Sequence, residues 1–479
     1  MANGKLVTAS IFCFLFGIAA NILEVYEVAI PLGILGALVL LLHTVQITTG
    51  FNSILSIFLA FFFIYTFSVP LSILLGFDYN FFDLTEYYMQ DYLLQAYLCY
   101  MGVAVGVLMF QHTIPASSTV EDRRWQLDLN PRLLINLGLL LGMISSLMEV
   151  INVIRAGGVA SLYAGKAVYQ ESMGNVEFTL PSRYLCDLAA AIWGIGIAQR
   201  QKVRVIDFLL FIGSISLLLA ICLIAGQRGP MLGWLMILFV SITYFRNIKK
   251  VGVKIGVVVV VVYVVMSMIF NYRSLISRYM STGDLSASKI YNNSDRLSRN
   301  FNPANNEFGA AFGNFNVYIK ATHNRSADLY WGTTYLQGFL IVIPGFLYPG
   351  EKPKQIAYEF RDKYFSVMAE RSRISGTGFS SLLEAFMNFG YFGSFLFFIL
   401  VGRVFVYLES RRMRRDTTTF FILVYLTLLP IAQSFHRGAF GGAVSEFIYK
   451  ILFFMVMLFL VGKLSLLGKR GKLRHIYNT

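Results

Sequence analysis

Arg228 and Arg437 each occupy a very short turn between two long apolar runs, in Ala-Gly-Gln-Arg-Gly-Pro and in Ser-Phe-His-Arg-Gly-Ala-Phe-Gly-Gly. A guanidinium beside hydrocarbon is costly, so it marks a place where an anion is met. The planar fork of arginine matches phosphate oxygens, which makes a lipid-linked phosphate the leading partner. A carboxylate stands in the string Gly376-Thr-Gly-Phe-Ser-Ser-Leu-Leu-Glu384-Ala-Phe-Met-Asn388-Phe-Gly390-Tyr-Phe-Gly393. Glu384 and Asn388 are four apart and share one helix face. Two roles stay open for Glu384. It neutralises an arginine (Arg371, Arg373 or a turn arginine) and holds the fold, or it orients a catalytic arginine or takes a proton from an acceptor hydroxyl. Lys352, in the Pro-rich stretch from Ile343 to Pro353, either approaches a phosphate as a point charge or belongs to a solvated loop.

These residues need elements to carry them, and composition says what kind. The 479 residues are 56% hydrophobic and 14% charged, too little charge to cover a soluble protein of this length. Repeated runs long enough to cross about 30 Å of hydrocarbon imply an all-α integral membrane protein. We read twelve spans, at 6–23, 29–45, 54–75, 92–110, 133–154, 184–198, 206–225, 231–245, 253–270, 380–408, 418–435 and 442–461. Residues 1–479 then form a single polytopic membrane domain.

Basic residues choose the orientation. They gather in alternate connections, for example Arg123, Arg124 and Arg132, then Arg200, Lys202 and Arg204, then Arg411, Arg412, Arg414 and Arg415. The opposite short loops 24–28 and 76–91 contain neither Lys nor Arg. This asymmetry predicts both termini in the cytoplasm. Most of the net charge of +14 is thereby topology and contact with anionic lipid, and nucleic acid is not an expected partner. Two long loops face outward, 155–183 and 271–378. The second is long enough for small helices of its own, and its segment 331–347 is apolar but too short to span, as in an interfacial or re-entrant helix.

Several chemistries are unsupported. The chain has no Walker loop, dinucleotide fingerprint, His-Glu-x-x-His or Gly-x-Ser-x-Gly. It also has no Asp-x-Asp pair for metal-bound nucleotide sugars, so neither a metal nor another cofactor is expected. Cys13, Cys99, Cys186 and Cys222 all fall in apolar runs and read as buried small residues.

With these pieces in order, the chain resembles the Wzy-type O-antigen and capsule repeat-unit polymerases of bacteria. The resemblance rests on the Arg228-Gly turn, the Pro-x-x-Lys352-Pro stretch, the Ser-x-x-x-Glu384-x-x-x-Asn388-Phe-Gly390 run and the late Arg437-Gly turn. Where that family often carries Arg after the first Pro, this chain has Gly345. The resemblance implies a glycosyltransferase in the bacterial cytoplasmic (inner) membrane. Such an enzyme moves a growing glycan from undecaprenyl diphosphate onto a new lipid-linked repeat unit, on the outer face. It implies a chain-length regulator and a flippase as partners. On this reading Arg228 and Arg437 clamp diphosphate oxygens, and Arg273 and Arg278 extend the basic funnel or merely snorkel. His436 accepts the hydroxyl proton or bonds the diphosphate, or is a structural turn histidine. Arg155, Lys352 and Asn388 are candidates for glycan or acceptor contacts.

Two rivals stand beside the polymerase: an O-antigen ligase-like enzyme using the same carrier, and a flippase or transporter of lipid-linked oligosaccharide. A transporter calls for ionisable residues at mid-membrane depth, whereas here they cluster at outer helix ends. Lys450 with Glu446 is the exception, and an i,i+4 structural pair accounts for it.

Overall fold

The computed structural model describes residues 4–48, 50–77, 79, 88–114, 130–158, 162, 181–200, 204–225, 228–245, 307–324, 327–343, 348, 353–365, 379–414 and 419–465. Every regular element among them is helical, as hydrocarbon demands of a chain whose backbone groups must all be paired internally. The first five helices are α1 (Gly4–Ile22), α2 (Tyr26–Ile47), α3 (Ile54–Leu74), α4 (Met89–Phe110) and α5 (Pro131–Arg155). Next come α6 (Ser182–Gln199), α7 (Val205–Ser214), α8 (Ser216–Ile224) and α9 (Arg228–Phe245). Three short helices follow: α10 (Glu307–His323), α11 (Thr333–Leu340) and α12 (Ile356–Tyr364). The last three are α13 (Ser381–Met413), α14 (Thr419–Ser434) and α15 (Phe440–Ser465). Among the described residues, seven helices are long and apolar enough to cross a membrane, or eight with the bent pair α7–α8. The protein is a multi-pass membrane protein. The expected ninth span, 253–270, lies outside the described residues.

The seventh expected span is not one straight helix. α7 and α8 meet at Ile215 with a bend of 60°. Serines flank it: Ser214 Oγ donates to the Phe211 carbonyl at 2.7 Å, which also accepts from the Ile215 amide at 3.2 Å, and Ser216 Oγ donates to the Gly213 carbonyl at 2.9 Å. The freed Ser214 carbonyl accepts from Ser146 Oγ of α5 at 2.9 Å.

Between helices in lipid there is no hydrophobic driving force, so close packing must hold the bundle, and small residues allow it. α4 and α13 run parallel and touch at glycines. A Cβ on Gly102 would lie 2.4 Å from the Phe395 carbonyl, and one on Gly106 2.5 Å from the Ile399 carbonyl. On α5, Gly138 receives Trp193 of α6. On α9, Gly233 receives Pro430 of α14, so the helices that begin at Arg228 and end just before Arg437 are direct neighbours. α10 lies across α3 and α4, where Phe312 meets Tyr92 edge-on at 4.7 Å and the Gly309 carbonyl accepts from Tyr79 Oη at 2.8 Å.

The backbone–backbone contact at Gly106 leaves no room for relaxation. Gly106→Val should therefore lower stability by about 1–3 kcal/mol, the usual cost of overpacking. A depressed thermal unfolding midpoint in detergent checks this, with the exposed Leu140→Val as the neutral control.

Candidate functional site

The site is organised by one buried carboxylate. Ser380 caps α13, its Oγ accepting from the Leu383 amide at 3.2 Å, and this places Glu384 in the first helical turn. Glu384 is fully buried. Its Oε1 accepts from Thr334 Oγ1 of α11 at 2.9 Å, and its Oε2 from the Phe440 amide, the first residue of α15, at 2.6 Å. The carboxylate thus meets the N-terminal turns of three helices, where the orphan amides and the helix dipole both favour a negative charge. Among the described residues its donors are neutral. The expected pairing with an arginine is not what holds it, and Arg371 and Arg373 lie outside the described residues.

Asn388 completes the clamp one turn on, as the shared face predicts. Its Nδ2 donates to Thr334 Oγ1 at 2.6 Å and to the Glu384 carbonyl at 2.8 Å, and its Oδ1 accepts from the Gly332 amide at 3.0 Å. Just beyond, Gly390 takes φ 62° and breaks the ladder of α13, a conformation that favours glycine. The break leaves the Met387 and Asn388 carbonyls without their own helical donors. The Tyr330 and Trp331 amides fill both, at 2.8 and 3.0 Å. A tight turn with positive φ at Trp331 and Gly332 then launches α11 back into the bundle.

α11 descends onto the last helix. Gly338 and Gly441 pack so closely that a Cβ on either would lie 2.7 Å from the other's Cα. Tyr335 stacks on Phe397 at 4.9 Å and meets Phe440 edge-on at 4.8 Å. Tyr449 Oη donates to the Val342 carbonyl at 2.8 Å. The part of the short apolar segment after 331 that forms α11 is a helix of eight residues folded against α13 and α15. In the adjoining loop burial pushes the Tyr330 phenol up, with Lys363 opposing, so Tyr330 stays a neutral hydroxyl.

The two arginine turns come together at one end of an antiparallel helix pair. Gly233 lies five residues after Arg228, and Pro430 seven residues before Arg437. From that contact the turns stand about 7.5 Å and about 10 Å along the axis in the same direction, at 1.5 Å per residue. The side chain of Arg228 is outside the described residues; Arg437 is partly buried and has interaction partners of its own. His436 is buried, its ring stacked on Phe62 at 4.7 Å and close to Phe58 at 4.5 Å. Its Nε2 lies 3.1 Å from the Phe58 carbonyl, so the ring donates there, and Nδ1 has no partner among the described residues. Phe62 is eight residues into α3, so the Arg437 turn is sunk towards the middle of the bundle.

The remaining expected residues separate. Arg155 ends α5 and is exposed, well placed for the negative end of that helix. Lys352, Arg273 and Arg278 lie outside the described residues. Lys450 does pair with Glu446 at 2.7 Å, but it also meets Asp187 of α6 at 2.7 Å. A second buried ionic group joins Arg412, Glu409 and Tyr425, and the Tyr425 hydroxyl accepts from the Ile54 amide at 2.7 Å. Ionisable groups inside the bundle are thus more numerous than their placement at helix ends suggests, because partners on other helices make them tolerable. Depth alone does not separate enzyme from transporter. Thr334 and Asp187 went unremarked in the sequence; only Asp187 carries a local signal, a charge inside an apolar run.

Removing the Glu384 carboxylate would orphan the Phe440 amide and the Thr334 hydroxyl, at about 1–3 kcal/mol each. Glu384→Ala should therefore unfold several degrees lower than Glu384→Asp. Combined with Thr334→Val it should cost less than the sum of the single changes, because both act on one network. A double-mutant cycle in thermal unfolding measures this coupling.

No metal-binding group of three or more His, Cys, Asp or Glu occurs among the described residues. No curated protein and no solved structure matches the chain. The family model described as O-antigen polysaccharide polymerase Wzy matches residues 5–469, nearly the whole length. The chain therefore belongs to the O-antigen polysaccharide polymerase Wzy family.

Proposed function

We propose that this protein transfers a growing glycan from undecaprenyl diphosphate to a lipid-linked oligosaccharide repeat unit on the outer face of the bacterial inner membrane. The observation that carries the reading is the convergence of the Arg228 and Arg437 turns at one end of the packed pair α9 and α14. A pair of arginines carried by these two turns suits a diphosphate as its clamp. The leaving group is already a stabilised anion, so neutralising its developing charge contributes more than protonating it. Family membership supports the reaction class, and the bare loops 24–28 and 76–91 support an outward-facing site.

In this reading each described residue has a physical task. The sunken Arg437 turn draws the diphosphate below the surface, where lower polarity strengthens each charge contact. His436, fixed between aromatic rings and the Phe58 carbonyl, positions Arg437 next to it in the chain. Glu384 and Asn388 hold α11 as a rigid wall beside that turn. Arg155, Lys352, Arg273 and Arg278 extend the basic approach. A single in-line attack by the acceptor hydroxyl inverts the anomeric carbon, and no metal is required. A chain-length regulator and a flippase would act as partners.

Purified protein in nanodiscs, supplied only with undecaprenyl-diphosphate repeat units, should build a ladder of longer glycans. Arg228→Ala and Arg437→Ala should each lower its rate by about 100-fold or more at unchanged expression, the scale of losing one charge-stabilising donor. Chelation with EDTA should leave the rate unchanged. Transfer to lipid A core without a ladder would favour the ligase; carrier crossing liposomes without any new glycan would favour the flippase.

A further inference from the structure

Lys450 is buried, and its ammonium has three donors. All three are engaged: Asp187 Oδ2 at 2.7 Å, Glu446 Oε1 at 2.7 Å and the Thr427 carbonyl at 3.1 Å. The lysine is saturated and has nothing left for a phosphate. Two carboxylates share this one ammonium, so the cluster carries an excess negative charge inside an apolar bundle. An uncompensated ion in such a place costs several kcal/mol, and a single acid would have sufficed to hold the lysine. The second acid calls for a reason.

The two carboxylates are not equivalent. The Asp187 side chain is 7% exposed, whereas that of Glu446 is 31% exposed. Glu446 Oε2 has no donor among the described residues. One turn nearer the Arg437 turn, on the same face of α15, stands Gly442. A Cβ there would meet no atom of the described residues within 4 Å. Further along the same face, Tyr449 reaches the Val342 carbonyl just past α11. An open strip therefore leads along α15 from the Arg437 turn to Glu446, about 9 Å beyond Phe440 along the axis.

We propose that Glu446 is the base that takes the proton of the acceptor sugar hydroxyl, with Lys450 and Asp187 as its positioning residues. The assignment rests on the polymerase reading above. As the acceptor oxygen bonds to the anomeric carbon, its proton passes to Glu446 Oε2. The bond from that carbon to the diphosphate oxygen breaks, and its electron pair leaves with undecaprenyl diphosphate. The proton is afterwards released to water. Arginines at the turn and a carboxylate further along α15 give leaving group and nucleophile separate partners.

Glu446→Gln leaves Asp187 and Lys450 as a balanced pair, so the fold should persist. In nanodiscs the full-length variant should show turnover lowered about 100-fold or more, the scale of losing a general base. Its affinity for the undecaprenyl-diphosphate repeat unit and its unfolding midpoint should match wild type, and Glu446→Asp should recover part of the turnover. Gly442→Leu, which leaves every charge in place, should also slow turnover by filling the strip. Wild-type turnover in either Glu446→Gln or Gly442→Leu would overturn the assignment, as would equal losses of affinity and turnover in Glu446→Gln. The polymerase reading is judged by wild type alone, which must build the ladder; the base is judged by the ratio of variant to wild type, so the two fail separately.

Discussion

The interaction on which the rest of the structure depends is the burial of the Glu384 carboxylate among three helix N-termini. An ion stripped of water in an apolar bundle loses several kcal/mol. Two hydrogen bonds to a charged acceptor return about 1.5–3 kcal/mol each, and neighbouring helix termini add about 0.3–1 kcal/mol apiece. These contacts exist only because α11, α13 and α15 all present their first turns to one point. One side chain thereby fixes where a short helix docks and where the last helix begins. The Arg437 turn immediately precedes that last helix, so its position is set by the same carboxylate.

The break at Gly390 belongs to the same device. A continuous α13 would spend the Met387 and Asn388 carbonyls on its own ladder. By ending that ladder, the glycine makes two acceptors available to the Tyr330 and Trp331 amides, and the loop gains the backbone partners that a non-helical segment at this depth requires. The bent junction of α7 and α8 works in the same way, handing a carbonyl to a neighbouring helix. Irregular backbone inside the bundle occurs here where another element satisfies it.

Much of the architecture was legible in the residues. Long apolar runs announce helices because nothing else hides a backbone in lipid, and the described helices of membrane-crossing length fall where these runs lie. The i,i+4 spacing of Glu384 and Asn388 correctly placed both on one face. What they grip was not legible: Thr334 lies 50 residues away from Glu384, and the Phe440 amide is a backbone group with no side-chain signature. The expectation of an arginine partner followed from charge counting, which has no access to helix ends. Glu446 and Lys450 were readable as a local pair, but the third member, Asp187, belongs to a helix more than 200 residues earlier.

The sequence by itself determined the solvent, the helices and the types of group able to meet an anion. These follow from local composition and period, which each segment carries alone. Tertiary structure alone decided that the two arginine turns stand at one end of neighbouring helices, and that the later turn is sunk beside Phe62. It also decided that a lone acid is shielded by helix N-termini rather than by a cation. In lipid, apolar faces do not choose partners by hydrophobicity, so adjacency is settled by the fit of small residues such as Gly233 against Pro430 and by buried polar bonds. Both are properties of pairs of segments, and no single segment contains them.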